Sequence, residues 1–501
     1  MREGIGSEGG LVLRSWLLLL LVSVAMVNAS GIALSASSYQ QISAEDIVEK
    51  TNSSPVFYDF VVINGDLWLN NTQFYPIHIT NSIIRGNVSC EGVTFLGDVD
   101  FSDTVFQNNA IFNSTKFQEA ANFNNSSFNG ISSFNMSSFA HGGTFDFAKF
   151  AGTADFANAW FDKFGTFYNA TFFQDALFYL SEFNGAYLNF GSAQFEKNLD
   201  FSGSRFNTYC FFEGANIGET GDFHTSKFTN GVDFVNATFQ GYANFDRSHF
   251  IENSLFSGIN FCSVADFQNT KFDGATFFNG TRFGKSALFD NAQFEAPSDF
   301  SGAKFESDLS MNSTSIRKMV LDGSTFGKSS RLFLAKADIN RLMVEWSLIK
   351  DILSFDSSAY LSLIKNYKDL GQGNDANDCY FEYRQLSQMH KPFGLSKALD
   401  ALAWLSCGYG VRPHYALFCG TVIIIIFSLI YWLGRGIEGF KDMHGHHLII
   451  SSTLFSILAF TANAKGLPFR GHYRYLGIAE GIIGWLLMAL FLVTLGKLMI
   501  G

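Results

Sequence analysis

Between residues 101 and 183, phenylalanines fall at alternating steps of five and six. The series runs Phe101, Phe106, Phe112, Phe117, Phe123 and Phe128, and continues to Phe178 and Phe183. One extra residue shifts the frame to Phe190; the alternation then resumes and reaches Phe300 and Phe305, with Ile217 in one slot. A helix repeats every ~3.6 residues and a flat strand every ~2, so neither yields this spacing. A square coil does. Each side turns one bulky side chain inward at its centre. Side chains alternate across extended backbone, so the residue two before each phenylalanine points inward as well. That position is small, as at Ala121, Ser126, Ala154, Ala170, Ala243 and Ala303. Outward positions carry Asn, Asp, Gly, Ser and Thr, which suit tight corners. Four sides make a coil of about 22 residues, and the regular stretch holds about nine or ten coils at ~4.8 Å each.

This phenylalanine-centred repeat resembles the pentapeptide-repeat family over about half of the chain. The resemblance implies an all-β, right-handed quadrilateral β-helix, here assigned to residues 56–330. Before Phe101, residues Val61, Ile63, Leu67, Leu69, Ile84 and Val88 keep apolar alternation without the strict step. They read as irregular first coils and a cap, because a solenoid end must be shielded. The last coils turn aliphatic through Leu309, Met311, Ile316, Val320 and Leu321.

The net charge of −11 is concentrated in this region, where 28 acidic residues face 15 basic ones between 56 and 330. Phosphate contacts need a basic face, so no nucleic-acid partner is expected. Acidity also marks members of the family that imitate DNA, so charge alone leaves that reading open. Eleven Asn-x-Ser/Thr sequons lie between Asn52 and Asn312. They read first as turn residues of the repeat and second as glycan sites on an exterior domain.

Residues 1–29 read as a secretory signal peptide. Arg2 and Arg14 precede an apolar run from Trp16 to Val27, followed by Val27-Asn28-Ala29, a small-residue cleavage pattern. An uncleaved anchor helix is the alternative; both place the next segment outside the cytoplasm. The six cysteines show no CxxC spacing, so no zinc and no other cofactor is expected. A Cys210–Cys262 disulfide stays open.

Residues 331–412 read as a helical neck. Tyr360, Leu363, Ile364, Tyr367 and Leu370 form one helical face. Gly371 and Gly373 break the chain, Asn374 or Asp375 can cap the next helix, and a third covers Ser396 to Leu405.

Residues 413–501 read as a membrane domain. Spans are expected at about 415–434 and 475–497, the second interrupted by Glu480. The apolar stretch 448–462 is short for a span and natural for a re-entrant helix, although three full spans stay open. Leu454 to Thr461, followed by Gly466 and Pro468, resembles the pore helix and filter region of two-transmembrane potassium channels. Glu480 and Gly484 resemble the start and hinge of their inner helix. The resemblance implies an ion as partner and a homo-tetramer, and makes Thr461, Ala462, Asn463, Ala464, Lys465 and Gly466 the filter candidates. Potassium filters use glycines to turn successive carbonyls inward, and both are replaced here. Lys465 would also repel cations from a pore, so potassium selectivity is not expected.

With the repeat outside, Arg435, Lys441, Lys465, Arg470 and Arg474 all fall on the cytoplasmic side, as the positive-inside tendency favours. The expected protein is thus an exported, membrane-anchored channel-like molecule with an external binding or sensing coil, in contact with lipid. A surface scaffold with a non-conducting pore fold is the alternative. A β-helix enzyme acting on glycans through Asp98, Asp100 or Asp103 is the least favoured, since solvated turn acids explain those residues. His444, His446 and His447 read as a loop cluster rather than a metal site.

Overall fold

The computed structural model describes residues 39–438, 446–461 and 468–500. Residues 1–29, read above as a signal peptide, and the filter candidates 462–466 lie outside the described residues. The chain divides into two compact units, Met1–Ser310 with Gly323–Ser330, and Met311–Asp322 with Arg331–Gly501.

The first unit is a parallel β-solenoid. Each turn carries four short strands, for example Val99–Asp100, Val105–Phe106, Ala110–Ile111 and Lys116–Phe117. The next turn pairs in parallel 22 residues on, Phe106 with Phe128 and Phe128 with Phe150. One side holds fourteen strands, from Gln40–Ser43 to Thr325–Phe326. That exceeds the nine or ten regular coils because aliphatic turns extend both ends. Val62, Ile63, Ile77, Ile79 and Ile84 fill the early interior as completely as phenylalanine does later.

The phenylalanines form columns along the coil. Phe128 and Phe150 stack at 4.9 Å and 1°, and Phe145 and Phe167 at 4.8 Å and 3°. Neighbouring columns meet edge to face, as Phe134 and Phe145 do at 5.3 Å and 83°. Both geometries match the ring quadrupole. The small inward residues, such as Ala154 and Ser126, are fully buried beside them. The extra residue falls in a corner: Phe161 pairs with Phe183 but Gly165 pairs with Leu188, a step one residue longer.

Helix α1 (Ala44–Thr51) closes the first turn. Ser43 caps it by accepting from the Glu45 N–H, and Ile47 is wholly buried. The cap thus lies before residue 56, where apolar alternation first becomes visible in the sequence.

In the second unit, Ser315–Val320 pairs in parallel with Asp338–Ile339 and Leu342–Met343. Strands therefore run on past 330, where the loss of phenylalanine suggested an end. Met319, Leu332, Leu334 and Leu342 hold the inward positions, since the coil needs bulk and parity rather than aromaticity. Helices α2 (Trp346–Ile349) and α3 (Ser357–Asp369) follow. Asn366 on α3 is buried and pairs both ways with the Leu342 backbone, accepting from its N–H and donating to its carbonyl at 2.8 Å each. This satisfies a strand edge that would otherwise be open.

Helices α4 (Gly373–His390) and α5 (Leu395–Cys407) come next. Neither Asn374 nor Asp375 caps α4: Gln372 is the N-cap, with no side-chain bond, and Asp375 sits in the first turn. An acid there still complements the helix dipole. Three apolar helices end the chain: α6 (Pro413–Gly434), α7 (His446–Thr461) and α8 (Tyr473–Ile500). The helices α6 and α8 are long and apolar enough to cross a membrane.

Candidate functional site

Helices α6, α7 and α8 pack against one another around a buried polar cluster, with large apolar side chains on the outside. Tyr431, Ser456 and Glu480, one from each helix, are completely buried. The Tyr431 hydroxyl donates to Glu480 Oε2 at 2.7 Å, and Ser456 Oγ lies in hydrogen-bond contact with Glu480 Oε1. Ser456 Oγ also donates to the Ile424 carbonyl at 2.9 Å. A hydroxyl has one proton, so Ser456 donates to one of these two oxygens at a time. Ser428 and Thr453 add a 2.9 Å contact in the same seam. Outward, Phe418, Leu433, Leu454, Ile482, Trp485 and Leu492 are exposed at 56% or more. A water-soluble bundle shows the reverse arrangement.

The pairings fix how the helices run. Ser428 meets Thr453, Ile424 meets Ser456, and the Phe460 ring lies over Gly420, so α7 runs back along α6. Gly484 packs on the Phe460 backbone, where an added Cβ would come 2.2 Å from its carbonyl oxygen. After α6, Ile437 forms an antiparallel bridge with Phe469. The Glu438 N–H donates to the Pro468 carbonyl and the Arg470 N–H to the Gly436 carbonyl, each at 2.9 Å. The segment leaving α6 and the segment entering α8 are therefore at one end of the trio. Tyr431, Ile437, Leu448, Ala459 and Phe469 make the core there.

On the coil, several corners depart from turn chemistry, Phe147 and Arg247 among them. Residues in left-handed backbone recur about every eleven positions, and most are Asn, Ser, Asp or Gly. Met136 and Leu180 hold the same conformation, at φ 56° each, and are 63% and 58% exposed. Between them stand Asn158 and the exposed Trp160. With Glu182 and Arg205 they line a cleft of about 470 Å³. Bulky residues in this conformation cost about 1–2 kcal/mol each, and strain of this kind concentrates at functional positions.

Residues 91–138 match the family model for pentapeptide repeats (9 copies). The chain carries a pentapeptide-repeat domain. A solved structure of QnrB1 (trypsin-treated), a plasmid-mediated fluoroquinolone resistance protein, is similar at 16% identity, covering 45% of this chain and 89% of its own, with a TM-score of 0.13. No curated protein matches the chain.

The pentapeptide-repeat domain explains the acids that the sequence singled out. The Asp100 carboxylate accepts from the Ser102 N–H at 2.9 Å, and Asp155, Asp200, Asp266 and Asp299 cap the same turn. Asp98 lies 3.6 Å from His78, and Asp103 supplies a left-handed corner. Asp100 and Asp103 are thus turn builders, and Asp98 faces a histidine of the preceding turn. Cys210 and Cys262 are both free thiols. His446 and His447 are exposed at the start of α7, and His444 lies outside the described residues. Glu480 and Gly484 are brought together with α7, whereas Thr461 ends α7 with its hydroxyl bonded to the Ile457 carbonyl at 2.7 Å. Ala462, Asn463, Ala464, Lys465 and Gly466 fall outside the described residues. Sequence reading missed Tyr431 and Ser456; their one signal is a hydroxyl inside an otherwise apolar run.

Proposed function

We propose that this is an exported, membrane-anchored protein whose pentapeptide-repeat domain is an external binding or sensing module and whose helices α6 to α8 form a channel-like pore domain. The observation that carries this reading is the backbone pairing of Ile437 with Phe469. It brings the chain back to the end of α6 before α8 begins, so α7 enters and leaves from one face of the bilayer as a pore loop does. Three sequential spans would separate those segments by the membrane thickness. The apolar outer face of α7 then meets lipid or neighbouring copies, and a homo-tetramer encloses the pore. Arg435, Arg470 and Arg474 lie on the cytoplasmic side and the coil on the exterior. The cleft at Trp160 is the candidate ligand contact of the sensing module.

The lost filter glycines and Lys465 favour a pore that does not select potassium, and they also support a second reading, a surface scaffold on a non-conducting anchor. Liposome flux separates the two. Protein reconstituted as a tetramer is expected to pass small ions, with Lys465→Glu shifting the balance between chloride and sodium. A monomer that passes neither ion supports the scaffold.

A further inference from the structure

Helix α5 is amphipathic in the opposite sense to a helix bathed in water. Leu395, Leu399, Leu402 and Leu405 are exposed at 77%, 57%, 61% and 52%. Their spacing puts them on one stripe. Phe393 and Met389, exposed at 97% and 71%, extend the patch across the α4–α5 turn. The charges turn the other way. Asp400 is 13% exposed, bonded to Arg384 of α4 at 2.7 Å and paired with Lys391. Lys397 donates to the Lys391 carbonyl at 3.1 Å and lies over the Phe393 ring. A helix in water keeps its charges out and its leucines in.

The position of α5 says what meets the stripe. It ends at Cys407, and α6 begins at Pro413. The Cys419 thiol donates to the Leu405 carbonyl at 3.0 Å, so the last turn of α5 lies beside the second turn of α6. Trp404, 37% exposed, stands at the same level. Aromatic rings of this kind favour the headgroup zone. An apolar stripe fixed beside the end of a span faces the acyl region, not bulk water.

We propose that α5 is an interfacial helix that docks on the lipid surface. Leu395, Leu399, Leu402 and Phe393 sink about 5–10 Å into the headgroup and acyl boundary. The membrane thereby holds the orientation of the helical neck. This inference rests on the reading of α6 as a membrane span.

Depth-dependent quenching tests it on the full chain in nanodiscs of phosphatidylcholine and phosphatidylglycerol. An environment-sensitive fluorophore is placed by Leu402→Cys, by Ile425→Cys in mid-α6, or by Lys365→Cys on α3, with Cys262 and Cys419 changed to Ser. The expected result is loss of signal at 402 with bromine high in the acyl chain, loss at 425 with bromine deep in it, and none at 365. Quenching at 425 without quenching at 402 overturns the interfacial helix and leaves the span standing. Disulfide cross-linking between 402 positions of two copies, with no lipid quenching, overturns it in favour of a second copy as the occupant. Absence of quenching at both 425 and 402 removes the span and the inference together.

Discussion

At the scale of single residues, the phenylalanine columns carry stability rather than chemistry. Phe145 stacks on Phe123 and Phe167 and meets Phe134 edge to face. Phe145→Ala should cost about 3–5 kcal/mol, read as a lower midpoint in denaturant. Leu180 behaves in the opposite way. Its left-handed backbone suits Asn, so Leu180→Asn should stabilise the coil by up to about 1 kcal/mol. If the cleft beside Trp160 binds a ligand, the same change weakens binding. Glu480 gives a third test. Glu480→Gln keeps an acceptor for Tyr431 and a donor for Ser456, and should fold nearly as well as the parent. Glu480→Leu strands the Tyr431 hydroxyl in an apolar seam, while Ser456 keeps the Ile424 carbonyl, and should cost about 1–3 kcal/mol in a thermal shift assay. The column positions were legible because their spacing is strict. The partners of Glu480 were not, because Ser456 lies 24 residues away and Tyr431 49, and no local pattern links them. Met136 and Leu180 were hidden for a related reason: turn chemistry points to Asn or Gly at those corners.

At the scale of elements, helix ends decide several of the differences. The Asp356 carboxylate caps α3, accepting from the Ser358 hydroxyl and from the Ser358 and Ala359 N–H groups at 2.9 and 3.1 Å. The Ser358 hydroxyl and these amides hold its carboxyl below the usual range. A depressed carboxyl contributes stability above its unfolded pKa of about 3.9, and that stability is lost as pH falls through the folded value. Asp356→Ala should therefore destabilise by about 1 kcal/mol near neutral pH, with the gap closing in acid below about pH 4. The type of each neck helix was legible from its apolar face. The start of α4 was not, since Gly371 in the left-handed region lets the chain turn into the helix without a side-chain cap. Similarly, the strand character of 332–343 was hidden once leucine and methionine replaced phenylalanine in the inward slots.

At the scale of the whole molecule, each solenoid turn contacts its neighbours, so stability is close to a sum over turns. Removing a full turn, residues 243–264, sets Ala265 in the place of Ala243, as the native register already pairs them. That deletion should leave a cooperative fold. Deleting Asn244 alone flips Phe245 to the outward parity and should do more damage than losing the full turn, as limited proteolysis would reveal. The proposed pore-loop arrangement rests on the chain returning to the end of α6 before α8. Thiol labelling of Glu438→Cys, Arg470→Cys and His414→Cys from each side of sealed vesicles tests this most directly. The account predicts that 438 and 470 label from the same face and 414 from the opposite one. Labelling of 438 and 470 from opposite faces would contradict it.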